Sequence, residues 1–556
     1  MEKYTLGLDF GTLSARALLV RVSDGYEMAS VAMDYPHGVM DSALPDGTPL
    51  GTDWALEHPQ DFLDALYTVV PQTVQKAGVS PEDIIGIGVD FTTCTVLPVK
   101  RDGTPLCFLP EFAGEPHAYV KLWKHHAAQK QATRMEQEAL RRNEKFMERY
   151  GGKISSEAAF PKLLSVCEEA PAVYAATDYF LEAGDWIVWK LTGKQVRNAA
   201  MAGFKAFWSP SDGYPKAFLE ALHPNFAGVL DKMDAPIVPS GAAAGVLTEE
   251  AAEKLGLCAG TVVTAAHLDA HVTLAGVKVT CPGKMCMIMG TSGCHILMDE
   301  QMRIVPGFCG VAADGVMPGY WGLEAGQCCL GDHYAWVADN LTPASYAKEA
   351  QERGMSIHEL LTEKMAKLAP GESGLLALDW WNGNRSVLVD AELSGLLLGM
   401  TLRTRAEEIY RALIEATAFG TRVIVESFQK AGVPVQEIVA AGGIGRKNPV
   451  LMQIFADIVG LPFRVGASKQ TGALGSAIFA AAAASTEKGG YANVTDAAEH
   501  MGAVSDVVYT PNPEALSVYE KLYAEYVRLH DTFGRGENDV MKRLRKIAEE
   551  ARGRRG

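Results

Sequence analysis

Residues Tyr4 to Val20 read YTLGLDFGTLSARALLV, and residues Lys284 to Met298 read KMCMIMGTSGCHILM. Each stretch is a pair of β-type apolar runs joined by a short polar turn that contains glycine, the pattern of a tight hairpin. Two such hairpins about half a chain apart imply two related halves, each presenting a glycine turn. A chain of 556 residues also exceeds the size at which one hydrophobic core keeps growing, so two domains with a cleft between them are expected.

Other segments fill in a layered α/β order. The text IIGIGVDFTTCTVLPVKRDGTPL reads as strand, strand and Asp-Gly turn, continuing the N-terminal sheet. From Trp123 to Tyr150 the pattern is helical. Beyond Arg403 come a long helix, a strand at EIVAAGG and a helix at NPVLMQIFADIVG. The alanine-rich ALGSAIFAAAAAS is expected to be a closely packed helix with Thr471 as its N-cap.

Composition excludes several classes. Hydrophobic content of 48% and charged content of 21% rule out a disordered or fibrous chain. A net charge of −16 argues against nucleic acid as a partner, because phosphate backbones are bound by clustered Lys and Arg. The basic run MKRLRKIAEEARGRRG, interleaved with Glu and apolar residues, reads as a solvated terminal helix. Ten cysteines with no C-x-x-C pair are expected to be reduced thiols. With neither a signal-peptide pattern nor a long uncharged apolar run, the expectation is a cytoplasmic protein without a membrane partner.

The turns carry candidate chemistry. In LDFGTLSAR, glycine permits close backbone approach to a phosphate, and turn N–H and hydroxyl groups donate to its oxygens. Gly11, Thr12, Ser14 and Arg16 are therefore candidate phosphate contacts, and Asp9 is a candidate Mg²⁺ ligand acting through water. One such motif alone reads as an ordinary hairpin turn; the second copy, Gly290, Thr291 and Ser292, would let two turns grip a polyphosphate from both sides. No G-x-x-x-x-G-K-[ST] occurs, and GGIGRKN lacks the last glycine of a dinucleotide fingerprint. AAHLDAHVTLAG leaves two readings open. His267 and His271 would form an i, i+4 metal pair on a helix, or Asp269 would be a general base, with a structural Asp equally consistent with the spacing.

Taken together, LDFGTLSAR, HLDAH, IMGTSG and VAAGGIGRKNPVLMQIFADI, in this order, resemble the FGGY family of carbohydrate kinases over nearly the whole chain. The segments GIGVDFTTCT, KLWKHHAAQ, YGGKISSE, GFKAFW, YWGLEAGQ and ALDWWNGNR resemble its branch acting on L-ribulose. The resemblance implies an α/β fold of two actin-like (ribonuclease H-like) domains with an interdomain catalytic cleft. Residues 1–278 would form the sugar-binding domain and 279–556 the nucleotide-binding one, with a hinge near Val277 to Gly283. It implies ATP and Mg²⁺ as cofactors and a ketopentose as substrate, with L-ribulose 5-phosphate as product in L-arabinose catabolism; it is compatible with a homodimer. Asp269 matches the catalytic aspartate; Thr93, Lys205, Asp269 and Glu324 match sugar contacts; Gly331, Gly443 and Asn448 match the adenosine side. Xylulose, D-ribulose or a polyol within the family, and an actin-like ATPase without a sugar, are the alternatives. His125 and His126 receive no role.

Overall fold

The computed structural model describes residues 2–308 and 310–553. Strands β1 (Tyr4–Phe10) and β2 (Ser14–Arg21) pair antiparallel, and the Gly11 N–H donates to the Ser14 carbonyl at 3.0 Å to close the turn. Strand β3 (Glu27–Asp34) extends the meander. Strand β4 (Ile84–Phe91) lies parallel to β1 on its other side, which sets Asp90 opposite Asp9. Covered on both faces, β1 and β4 read as near-continuous apolar runs rather than alternating ones. With β5 (Ala243–Val246), β6 (Val262–Thr264) and β7 (His267–Leu268) the sheet order is β5-β6-β4-β1-β2-β3, and β7 also pairs with β4.

The second sheet holds β8 (Gly283–Met289), β9 (Gly293–Asp299), β10 (Gly310–Ala313), β11 (Trp321–Gln327), β12 (Val435–Ala441) and β13 (Phe463–Val465). Its order is β10-β11-β9-β8-β12-β13. Here β8 pairs antiparallel with β9 and parallel with β12, as β1 does with β2 and β4. The two hairpins thus head halves of matching topology.

Two local expectations are corrected. The strand Val96–Val99 does not continue the N-terminal sheet; it pairs with Tyr179–Glu182 and Val120–Lys121 in a separate four-stranded sheet. The chain is turned out of the first sheet at Thr92–Thr95, where Cys94 has φ 56° and the Thr95 N–H donates to the Glu182 carboxylate at 3.1 Å. Helix between 123 and 150 is confined to Gln129–Arg142 and a 3₁₀ stretch Lys145–Tyr150. Residues ahead of it stay extended or turned, and the Trp123 indole N–H donates to the Thr12 hydroxyl at 3.1 Å.

Six helices matter for the site: α1 (Ala199–Lys205), α2 (Asp269–Gly276), α3 (Gly331–Asn340), α4 (Ala406–Lys430), α5 (Pro449–Val459) and α6 (Thr471–Ala484). Helix α6 follows the second half in sequence, yet it packs on β1 and β4 of the first. Glycine makes this possible: a Cβ on Gly7 would lie 1.8 Å from the Ala473 carbonyl oxygen, and one on Gly88 1.9 Å from that of Ser476. Helices α2 and α6 cross equally closely, since a Cβ on Gly475 would lie 2.0 Å from the Val272 carbonyl oxygen. Around this pair a shared core joins Leu18 and Ile85 of one sheet to Cys286 and Val439 of the other. Thr471 is not the N-cap of α6. Gln470 holds that place without a side-chain cap bond, its own N–H engaged by the Ser468 hydroxyl at 2.9 Å.

At the far end, the expected terminal helix spans Val540–Gly553 and is mostly exposed, tied down by Lys542 to Asp390 at 2.6 Å. Among the described residues the nine cysteines are free thiols, and no helix is long and apolar enough to cross a membrane.

Candidate active site

Between the halves lies a cleft of about 760 Å³, lined by the second hairpin turn and the amino ends of α2 and α6; the first hairpin contributes Asp9 and Arg16 from its strands, while Gly11, Thr12 and Ser14 are not among the lining residues. Asp9, Arg16, Thr93, Lys205, Asp269, Gly290, Thr291, Ser292 and Glu324 all line it, so residues scattered over most of the chain converge on one cavity. A volume of this size suits a ligand much larger than a pentose alone. At the first turn, the Thr12 hydroxyl accepts from Trp123, itself a lining residue, and Arg16 reaches the Ser14 hydroxyl at 3.4 Å. At the second, the N–H groups of Leu330 and Gly331, leading into α3, donate to the Thr291 and Gly290 carbonyls at 2.9 and 3.0 Å. These bonds fix the carbonyls of the turn.

Asp269 is the first residue of α2, and its carboxylate accepts the Ala270 N–H at 2.7 Å. Enclosure by the cleft walls pushes its carboxyl up to about 7, and the nearby charge of Asp9 adds to the shift. That value is matched to taking a proton near neutral pH. Asp9 is raised by burial, with Arg16, at 3.5 Å, and the neighbouring Asp90 pulling the other way. Asp90, wholly buried beside it, is held well above the carboxylate range by burial and by the charge of Asp9, and accepts the Ser476 hydroxyl at 2.6 Å.

Glu324 on β11 behaves oppositely. Burial alone would raise it, but Lys205 first, then His271 and Arg385, outweigh burial and bring it down to about 2. It is a fixed, ionised acceptor in the cleft wall. The Thr93 hydroxyl is buried without a protein hydrogen-bond partner, in the same wall.

Gly331, Gly443 and Asn448 lie behind the second turn rather than among the cleft-lining residues. A Cβ on Gly331 would sit 2.9 Å from Ile444 Cδ1, which places Gly331 against the short helix Gly443–Lys447. Gly443 borders open space. Asn448 is committed to the fold: its Oδ1 caps α5 by accepting the Leu451 N–H at 3.0 Å, and its amide donates to the Thr362 hydroxyl at 3.0 Å.

The histidine metal pair does not form. Helix α2 begins at Asp269, so His267 precedes it, and the two rings are 6.4 Å apart. Both nitrogens of His267 are engaged: Nδ1 accepts the Leu268 N–H at 2.8 Å and Nε2 donates to the Val316 carbonyl at 3.1 Å. Burial lowers it to about 3. His125 is buried with Nδ1 accepting the Ala55 N–H at 3.2 Å, and His126 contacts the Ser156 hydroxyl at 3.2 Å.

Several lining residues lay unassigned within segments already singled out: Trp123 and Lys124 in KLWKHHAAQ, Glu157 in YGGKISSE, and Arg385 in ALDWWNGNR. Asp90 was signalled by the parallel endings of LDF and VDF. Lys162 carried no local signal. It is fully buried and donates to the carbonyls of Cys94, Leu122 and Trp123 at 2.7, 2.8 and 3.4 Å, tying the Thr93 loop to the Trp123 loop.

Sequence comparison matches the N-terminal domain of the FGGY family of carbohydrate kinases to residues 4–276 and its C-terminal domain to residues 285–484. A ribulokinase of Geobacillus thermodenitrificans is 52% identical over 555 residues, 99% of this chain and 98% of that protein. One of Bacillus licheniformis is 53% identical over 538 residues, 96% of this chain and 97% of that protein. Among solved structures, a xylulose kinase from Rhodospirillum rubrum superposes with a TM-score of 0.76 at 24% identity, covering 95% of this chain and 99% of that one. That likeness shows the same two-domain actin-like fold. With both domain patterns matched across the paired sheets, and relatives similar from end to end, the chain belongs to the FGGY family of carbohydrate kinases.

Proposed function

We propose that the chain is a ribulokinase, transferring the γ-phosphate of ATP to the terminal hydroxyl of L-ribulose to give L-ribulose 5-phosphate in L-arabinose catabolism, with other 2-ketopentoses as further substrates. The observation that carries the reading is the meeting of Asp269, Lys205 and Glu324 in one cleft with the second glycine turn and with Asp9 and Arg16 of the first hairpin. Residues 1–278 supply most of the sugar contacts, with Glu324 reaching in from the other half, and residues 279–556 take the nucleotide. The cytoplasm is the compartment that suits this substrate pair.

In this reading Asp269 accepts the proton of the sugar hydroxyl as its oxygen bonds to the γ-phosphorus and the bond to the ADP oxygen breaks. Lys205, Glu324 and Thr93 hold the sugar so that one hydroxyl points at that phosphorus, which removes most of the unproductive geometries. The turns around Gly11 and Gly290 hold the phosphate chain, with Thr12, Ser14, Arg16 and Thr291 beside them. Gly331 and Gly443 flank the adenosine. Asn448, occupied as a cap, supports that region through the backbone it holds.

The residues fit Mg²⁺. Asp9 presents a carboxylate to the cleft, and the lack of a side chain at Gly472 leaves room there, since a Cβ would stand 3.4 Å from Asp9 Oδ2. A hard cation takes such oxygens together with water, and would neutralise charge on the phosphates.

Sugar-dependent ADP release across a panel of ketopentoses and polyols tests the reading. Preference for xylulose or glycerol would overturn L-ribulose, and equal release without sugar would point to an ATPase. Because the base acts when ionised, kcat/KM for the sugar is expected to rise with pH and level off above about 7. A flat profile from pH 5 to 9 would count against Asp269. Lys205→Ala is expected to raise the sugar KM roughly tenfold or more, the scale of one lost charged hydrogen bond, while the ATP KM stays within twofold.

A further inference from the structure

We infer that His271 is a positioning residue for sugar recognition, which holds the Glu324 carboxylate in place and couples it to the helix that carries Asp269. The inference rests on the ribulokinase reading and deepens it. His271 lies in the first turn of α2, is fully buried, and brings Nε2 to 3.3 Å from Glu324 Oε2. Its ring packs on that of Phe204 with centroids 4.5 Å apart, and Phe204 immediately precedes Lys205 on α1. One imidazole therefore touches three elements: α2 with Asp269, α1 with Lys205, and β11 with Glu324.

The chemistry gives this contact a direction. Both His271 nitrogens are buried without a formed hydrogen bond, and Nε2 is the one that faces the Glu324 carboxylate at 3.3 Å; because an ionised carboxylate only accepts, the contact holds Glu324 when Nε2 carries the hydrogen. His267 cannot take over, since its two nitrogens are held by the Leu268 N–H and the Val316 carbonyl. Phe204 behind the ring restricts its tilt, and so restricts the carboxylate in turn. A sugar bound between Lys205, Glu324 and Asp269 is thereby referenced to one rigid origin, and an error in Glu324 is an error in the distance from hydroxyl to base.

Steady-state kinetics on three variants of the full chain test the assignment. His271→Phe keeps a ring against Phe204 but has no donor, His271→Asn has a donor too short to reach Glu324, and His271→Gln restores an N–H near the Nε2 position. The first two are expected to raise the L-ribulose KM roughly 10- to 100-fold, with the ATP KM within twofold, and the Gln variant to recover most of that loss. Unchanged sugar KM in His271→Phe would overturn the inference. So would sugar and ATP constants that worsen together with a lowered Tm, or a Gln variant as impaired as Phe. If His271→Phe does not fold, His271→Asn set against His271→Gln decides it by the same criteria. Wild-type chain that releases no ADP with any ketopentose would instead overturn the ribulokinase reading, and with it this assignment.

Discussion

Asp269→Asn is expected to lower kcat for sugar-dependent ADP release by roughly 10²- to 10⁴-fold, the usual worth of a positioned general base. The carboxamide has the shape of the carboxylate and still accepts the Ala270 N–H that the native side chain accepts at 2.7 Å, so the start of α2 stays in place. What it lacks is a site for the proton. The substitution also removes a negative charge close to Asp9 and Glu324, both of which interact with Asp269, so it relieves repulsion toward a polyphosphate. ATP binding, measured by calorimetry, should therefore be retained or slightly tightened. The pH step near 7 should vanish from the residual activity. A variant with an undiminished rate would remove Asp269 from the reaction.

Gly475→Val is expected to destabilise the protein by about 3 kcal/mol, the upper end for overpacking a tight interior. The first atom of the new side chain would stand 2.0 Å from the Val272 carbonyl oxygen, and the next nearest contacts are also backbone. No rotamer change relieves a clash between two main chains. Helix α2 must move, and Asp269 at its start moves with it. Both the midpoint of thermal unfolding and kcat should fall, and a variant unchanged in both would show that the crossing yields freely.

What could be read from the sequence follows from how local each signal is. The hairpins at Gly11 and Gly290 were legible because a turn and its two flanking strands lie within about 17 residues, where period and glycine speak for themselves. Asp269 was legible as a candidate because it lies between His267 and His271 a short way before the second glycine turn, though spacing left base and structural residue open. Val96–Val99 was placed in the wrong sheet, since its composition announces a strand but not that its partner is Tyr179–Glu182. Lys162, in FPKLLS, looks like any surface lysine. Its three carbonyl partners come from two other loops, and only the fold brings them together. His271 suggested metal when helix was assumed from His267 onward; with the helix starting two residues later, at Asp269, His271 faces Glu324 instead.

The placement of α6 on the opposite sheet bears on how the chain is made. A ribosome releases the strands that Gly7, Gly86 and Gly88 belong to long before it reaches Thr471, and these glycines leave an apolar face shaped for a helix not yet synthesised. At 5–20 residues per second the nascent sheet waits roughly 20–80 s for its cover. The first half is thus a late-maturing body despite being the first translated, and during that interval its uncovered face is where binding by a chaperone, or by a neighbouring nascent chain, would concentrate.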